Sequence, residues 1–465
     1  MQYVSTRGEA PPVGFIDAVL AGLAPDGGLY VPETWPQLTR DEIAGFAGRP
    51  YAEVAADILG RFAGDAFRPE DLLDITSEAY AGFTHPAVTP LRQMDDNLWL
   101  LELFHGPTLA FKDVAMQMLA RLYERALAVR QRDLTVVCAT SGDTGGAAVE
   151  ALRGRDHVKL VVLFPDGRIS EVQRRFMTTV PDSNVRCLAL KGTFDDCQAI
   201  VKGLFQAQGF RQAVDLSGVN SINWARIVAQ TVYYFTAAVA LGAPHRPVSF
   251  TVPTGNFGDA FAGFVAQRMG LPIERIVLAT NSNDIVARMA QEGRYARGPV
   301  RHTQSPAMDI QVASNFERLY FEGVERNGVE TDRAMRAFAN TGAIDIPPRA
   351  RAMIDALFTG AGVGEDETRR SILSTYNQTG VLIDPHTAVG VAAARGVWRQ
   401  RAATPMVVLS TAHPAKFPEA VQAAAGLAPD LPRAARGLAA KPERIDRLPS
   451  DVEAVQAYIR DFVQT

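Results

Sequence analysis

The chain has 465 residues, more than one hydrophobic core ordinarily takes up; at roughly 100–200 residues per domain it implies two or three domains. Hydrophobic residues make up 47% and charged residues 21%, which excludes a disordered or fibrous chain. The 47 Lys and Arg against 51 Asp and Glu leave a net charge of −4, so the charge balance calls for neither nucleic acid nor an acidic membrane. An anionic small molecule stays open, because local donors bind it whatever the net charge.

The opening, residues 1–12, is polar and lacks the apolar stretch of a secretory signal. Short helices are expected at 16–20, 40–47, 51–59 and 69–80, broken by Asp26-Gly27-Gly28 and by prolines. Residues 1–95 therefore read as a separate, mostly helical N-terminal region. From there the pattern becomes an apolar run, a loop of small residues and an amphipathic stretch. Strands are expected at 134–138, 158–164, 185–190, 248–252, 275–279 and 406–409, with helices following near 147–153, 170–177, 195–205 and 259–269. Such βα units feed a largely parallel sheet buried on both faces, and ligands bind at the carboxyl ends of its strands. Residues 227–243 carry no charge, but Gln230, Thr231 and Thr236 and a length short of roughly 20 residues make a buried core helix the better reading than a membrane span. The stretch 307–373 reads as a helical insertion with loops around 360–364, and the tail 426–448 as a surface wrap. The expected division is 1–95, a small α/β domain at 96–225 and a large one at 226–465. Cys138, Cys187 and Cys197 lie far apart without a CxxC pair, which fits a reducing cytoplasm and no disulfide framework.

Three segments carry chemistry. Gly255-Asn256-Phe257-Gly258-Asp259 follows a strand and opens a helix, so backbone N–H groups converge on one point, as a phosphate requires. A tight strand–helix turn is the plain alternative. Thr140-Ser141-Gly142-Asp143-Thr144-Gly145-Gly146 is a second loop of this kind, able to hold a carboxylate or simply to cap a helix. Lys112 sits among apolar neighbours at a helix start, where its charged form is disfavoured and its neutral amine can form a Schiff base; a solvated lysine paired with Asp113 is the ordinary alternative. A phosphorylated aldehyde cofactor needs a Schiff-base lysine and a phosphate cradle, and an amino-acid substrate needs a carboxylate site. Pyridoxal 5'-phosphate meets all three demands.

The same segments, with Phe104-His105-Gly106-Pro107-Thr108, Asn220-Ser221-Ile222-Asn223-Trp224-Ala225-Arg226, Asp384-Pro385-His386 and Ala412-His413-Pro414-Ala415-Lys416-Phe417, make the chain resemble the threonine synthases of the bacterial and fungal type. The resemblance runs from end to end. It implies a fold-type-II pyridoxal-phosphate enzyme, similar to the tryptophan synthase β chain, with two doubly wound, mostly parallel sheets and the active site between them. It also implies a lyase that converts O-phospho-L-homoserine and water to L-threonine and phosphate, with Lys112 holding the cofactor. In the family's pattern Gly255, Asn256, Phe257 and Gly258, with Asp259 adjacent, take the cofactor phosphate. Thr411 faces the pyridine nitrogen, and Ser141 and Thr144 hold the substrate carboxylate. Asp143 is expected to point away from the substrate. Arg226 and Asn223 are the candidates for the substrate phosphate, with Lys416 and His105 behind them, because a planar guanidinium donates two bonds at once. His386 and His413 have no metal-ligand spacing, and no metal is expected. The chain is expected to act as a monomer or homodimer. A related phospholyase or serine/threonine dehydratase is the alternative activity.

Overall fold

The computed structural model describes residues 1–398 and 403–464. The apolar runs build two sheets. The five-stranded sheet runs in the order Asp446–Leu448, Val185–Leu190, Val158–Pro165, Leu134–Ala139, Leu216–Ser217, all parallel. The six-stranded sheet runs Phe358–Gly362, Ile273–Thr280, Val248–Pro253, Met406–Ser410, Leu98–Glu102, Leu91–Asp95, and only the last strand pairs antiparallel. Val248–Pro253 and Met406–Ser410 are buried at every residue, which is why they read as continuous apolar runs rather than alternating ones.

Helix Trp224–Ala240 lies in the middle of the molecule and packs on Gly258–Arg268, Lys112–Arg130 and Tyr51–Ala63. It is apolar because neighbours cover it on several sides; among the described residues no helix is long and apolar enough to cross a membrane. The N-terminal region holds the helices Phe15–Ala21, Arg40–Ala44, Tyr51–Ala63 and Pro69–Tyr80, together with a three-stranded antiparallel sheet in the order Val13–Gly14, Gln2–Ser5, Tyr30–Pro32.

The sheets do not follow the expected divisions of the chain. The hairpin made by Leu91–Asp95 and Leu98–Glu102 straddles the boundary at 95 and belongs to the six-stranded sheet, not to the smaller domain that residues 96–225 were expected to form. Its pairing partner, Met406–Ser410, lies three hundred residues along the chain, so no local signal announces it. Phe358–Gly362, expected as insertion and loop, is the edge strand of that sheet. Its glycines hid it, and Gly360 is needed because a Cβ there would stand 2.2 Å from the Ala287 carbonyl. The tail also returns to the core. Asp446–Leu448 extends the five-stranded sheet, and helix Val452–Gln464 packs on Phe194–Gln206.

Candidate active site

The segment before Lys112 is sewn to the segment after strand Met406–Ser410. Leu103 N–H donates to the Ser410 carbonyl at 3.0 Å, Phe111 N–H to the Thr411 carbonyl at 2.8 Å and His413 N–H to the Leu109 carbonyl at 3.0 Å. Lys112 is the first residue of helix Lys112–Arg130. Asp113 is not its ion partner. Its buried carboxylate accepts from Thr108 N at 2.8 Å and Thr108 Oγ1 at 2.6 Å, which closes the turn, and burial raises its pKa to about 6.

The carboxylate that does face Lys112 is Asp143, the first residue of helix Asp143–Leu152. Asp143 Oδ2 lies 3.6 Å from Lys112 Nζ, and Oδ1 lies 2.7 Å from Lys416 Nζ and accepts from Gln173 Nε2 at 3.0 Å. The expectation that Asp143 points away from the site is thereby corrected. The loop before it is closed by Thr140, whose Oγ1 accepts from Gly142 N and Gly145 N, both at 2.9 Å. Burial opposes the charge on Asp143, but Lys416 and then Lys112 outweigh it and hold the carboxyl well below the usual carboxylate range. Burial lowers the Lys112 pKa; Asp143 opposes this, while Lys416 and Arg226 add to it.

Lys112, Thr144 and Thr411 line one cavity of about 540 Å³, together with Gly255, Asn256, Phe257, Gly258 and Asp259. Its walls include the carboxyl ends of strands from both sheets, at Ala139 and Pro253. Phe257 adopts a left-handed φ of 63° and opens helix Gly258–Arg268, so the glycine loop presents a helix N-terminus to this space. The Asp259 carboxyl turns the other way. Its Oδ1 accepts from the Tyr233 and Tyr234 hydroxyls, Oδ2 is buried without a hydrogen-bond partner among the described residues, and burial raises its pKa to about 7.

Arg226 also lines the cavity. It is buried, donates Nη1 to the Val219 carbonyl at 3.1 Å, and keeps a buried Nε without a partner among the described residues. No carboxylate among the described residues pairs with it, which leaves an uncompensated guanidinium facing the cavity. Asn223 is placed differently. Its Oδ1 caps helix Trp224–Ala240 through Ala225 N at 3.0 Å, and its Nδ2 donates to the Val19 carbonyl at 2.8 Å and Tyr123 Oη at 3.1 Å. Its side chain is thus taken up by structure, and it is absent from the cavity wall, as are Ser141, Lys416 and His105. His105 bonds instead to Glu102 Oε2 at 2.8 Å.

Two parts of the wall carried no signal that assigned them a role. His386 lines the cavity with Nδ1 on Asp384 Oδ2 at 2.7 Å and Nε2 accepting from Ala307 N at 3.2 Å. The wall also includes Phe194, Gln198, Lys202 and Phe205 together with Ala21–Leu23, and an amphipathic helix such as Phe194–Gln206 reads in sequence as ordinary packing.

Comparison with known proteins decides the family. Residues 2–80 match the family described as threonine synthase N terminus, residues 83–361 that of pyridoxal-phosphate dependent enzymes, and residues 387–459 that of threonine synthase, C-terminal. The threonine synthase of Pseudomonas aeruginosa is 49% identical over 99% of this chain and 98% of its own. The chain belongs to the threonine synthase family. The solved structures agree: pyridoxal-phosphate-bound threonine synthase from Brucella melitensis superposes with a TM-score of 0.97 at 51% identity, covering all of both chains. The yeast threonine synthase structure gives a TM-score of 0.93 at 37% identity, over 100% of this chain and 99% of that one. The molecule is thus a fold-type-II enzyme dependent on pyridoxal phosphate, with the activity of a threonine synthase. Its cavity suits that cofactor. It offers a largely buried amine for the aldehyde, and in the same lining a helix N-terminus where a side chain at Gly255 would strike the Ala307 carbonyl at 2.8 Å.

Proposed function

We propose that the enzyme forms L-threonine and phosphate from O-phospho-L-homoserine and water. The carrying observation is that Lys112, the glycine loop, Thr411 and the unpaired Arg226 line one cavity. In this reading Lys112 bears the cofactor, the N–H groups of Gly255, Asn256, Phe257 and Gly258 take its phosphate, and Thr411 meets the pyridine nitrogen. When bound, the cofactor supplies an electron sink that makes the hydrogens on Cα and Cβ of the substrate acidic. Thr144, near the start of helix Asp143–Leu152, binds the substrate carboxylate with that helix's N–H groups. The Lys112 amine, released by the incoming substrate, would take the proton from Cα and then from Cβ; the pair left at Cβ expels the phosphate from Cγ, and Lys112 would afterwards return a proton at Cγ. Arg226 binds the substrate phosphate, because a guanidinium left without a carboxylate in a buried wall is satisfied by an oxyanion. The hydroxyl of a water would then add at Cβ, and Lys112 would return the remaining proton to Cα, which completes threonine. Cys138, Cys187 and Cys197 are free and buried, which supports a reducing, cytoplasmic location.

The test is release of phosphate and threonine from O-phospho-L-homoserine by the unmodified enzyme and by Lys112→Ala. Equal release of both products, abolished in the variant, is the expected result. Phosphate accompanied by a keto acid in place of threonine, or preference for phosphothreonine, moves the enzyme to the lyases and overturns the reading.

A further inference from the structure

Two buried lysines share one carboxylate, and they share it unequally. The side chain of Lys416 is 1% exposed, its ammonium lies 2.7 Å from Asp143 Oδ1, and it donates to the Thr108 carbonyl at 2.8 Å. Lys112 Nζ stands 3.6 Å from Asp143 Oδ2, outside good hydrogen-bond reach. A single carboxylate in a dry wall neutralises one ammonium fully and the second only in part. The remaining charges around the pair deepen the asymmetry. Arg226, from helix Trp224–Ala240, acts on Lys112 as another positive neighbour. Asp113 is turned to Thr108 and has Lys416 as a positive neighbour. Lys112 is therefore the amine with the weaker partner and the cationic surroundings.

We propose that Lys416 is a positioning residue: by occupying Asp143 it keeps Lys112 out of a full ion pair and leaves the Lys112 amine free to react with the cofactor aldehyde and to carry protons. The inference rests on the reading of Lys112 as the cofactor-bearing lysine. In the condensation the neutral amine nitrogen bonds to the aldehyde carbon, and the carbonyl oxygen leaves as water, so the reacting fraction is the unprotonated one. Without the Lys416 ammonium, both Asp143 oxygens turn to Lys112 and favour its charged form. Without the Asp143 charge, Lys112 keeps only positive neighbours and loses its proton more readily.

The test follows uptake of pyridoxal 5'-phosphate by the full-length protein stripped of cofactor, read as the visible absorbance gained on condensation with a lysine, from about pH 6 to about pH 10. Lys416→Met is expected to move the midpoint of the uptake rate about one pH unit or more to the alkaline side, and Asp143→Asn to move it to the acid side. Lys416→Arg keeps the charge and is expected to keep the midpoint. Shifts of the same sign in both charge-removing variants, or midpoints that do not move, overturn the proposal. If Lys416→Met does not fold, Asp143→Asn decides alone, since an unmoved or alkaline midpoint there is enough to reject it. Absorbance that persists in Lys112→Ala would instead overturn the assignment of the cofactor lysine.

Discussion

Asn315 holds the Asn256 carbonyl twice, through its main-chain N–H at 3.1 Å and its side-chain Nδ2 at 3.1 Å. The same Nδ2 reaches the Ser221 carbonyl at 3.2 Å, so one fully buried amide ties the glycine loop to the segment that leads into helix Trp224–Ala240. Arg318, itself buried, grips Asn315 Oδ1 and donates to the Tyr30 and Ile222 carbonyls. With the Asn256 carbonyl bound from behind, the loop is fixed before any ligand arrives, which is what a preorganised anion site requires. Asn315→Ala is expected to weaken pyridoxal 5'-phosphate binding by about tenfold, the loss of roughly one net hydrogen bond to a buried carbonyl, measured by titrating cofactor-stripped protein.

Gly255→Ala tests how closely that loop is packed. The new Cβ would meet the Ala307 carbonyl at 2.8 Å, and a backbone atom cannot swing aside as a flexible side chain would. The loop must move, and cofactor affinity is expected to fall by about ten- to a hundredfold while the melting temperature changes little. Unchanged affinity would show that the loop has room to spare.

Arg226→Gln removes the unpaired guanidinium but keeps a polar group in the wall. The expected outcome is a rise of about tenfold or more in KM for O-phospho-L-homoserine, with a smaller change in kcat and retained cofactor absorbance. A KM within twofold of the unmodified enzyme would move the substrate phosphate elsewhere in the cavity.

Asn223→Ala should behave in the opposite way, although it lies only three positions earlier. It loses the helix cap and the bonds to Val19 and Tyr123, so unfolding is expected about 1–2 kcal/mol earlier, with KM unchanged. Steady-state kinetics beside urea unfolding distinguish the two residues.

Asp259 makes stability depend on pH. Its carboxyl has a pKa of about 7 in the folded protein against an ordinary 3.8, so the native state holds a proton that the unfolded chain has released. The associated stability is complete below about pH 4 and is lost as pH rises through about 7. Asp259→Asn carries no such loss. In cofactor-stripped protein, the urea midpoint of the Asn variant relative to the unmodified chain is expected to climb between about pH 4 and about pH 8. The gain is on the order of a few kcal/mol, and a difference that stays flat across that range would refute it.

The sequence by itself determined the βα units and the residues whose chemistry is local. Val185–Leu190 spans the residues expected, because every residue of the run except the half-buried Arg186 is apolar and buried. Lys112 and the glycine loop were legible because an amine at a helix start and a small-residue turn after a strand are written in consecutive residues, whereas Thr411 entered only through the resemblance to the family. What those residues meet was decided only by the tertiary structure. Leu98–Glu102 joined a strand three hundred residues away, Asp143 turned toward two lysines rather than away from the site, and Asn223 was taken up as a cap while Arg226 faced the cavity. Periodicity and turn chemistry act between near neighbours, whereas the partner of a buried charge or an edge strand is chosen by what the completed fold brings within about 3–5 Å.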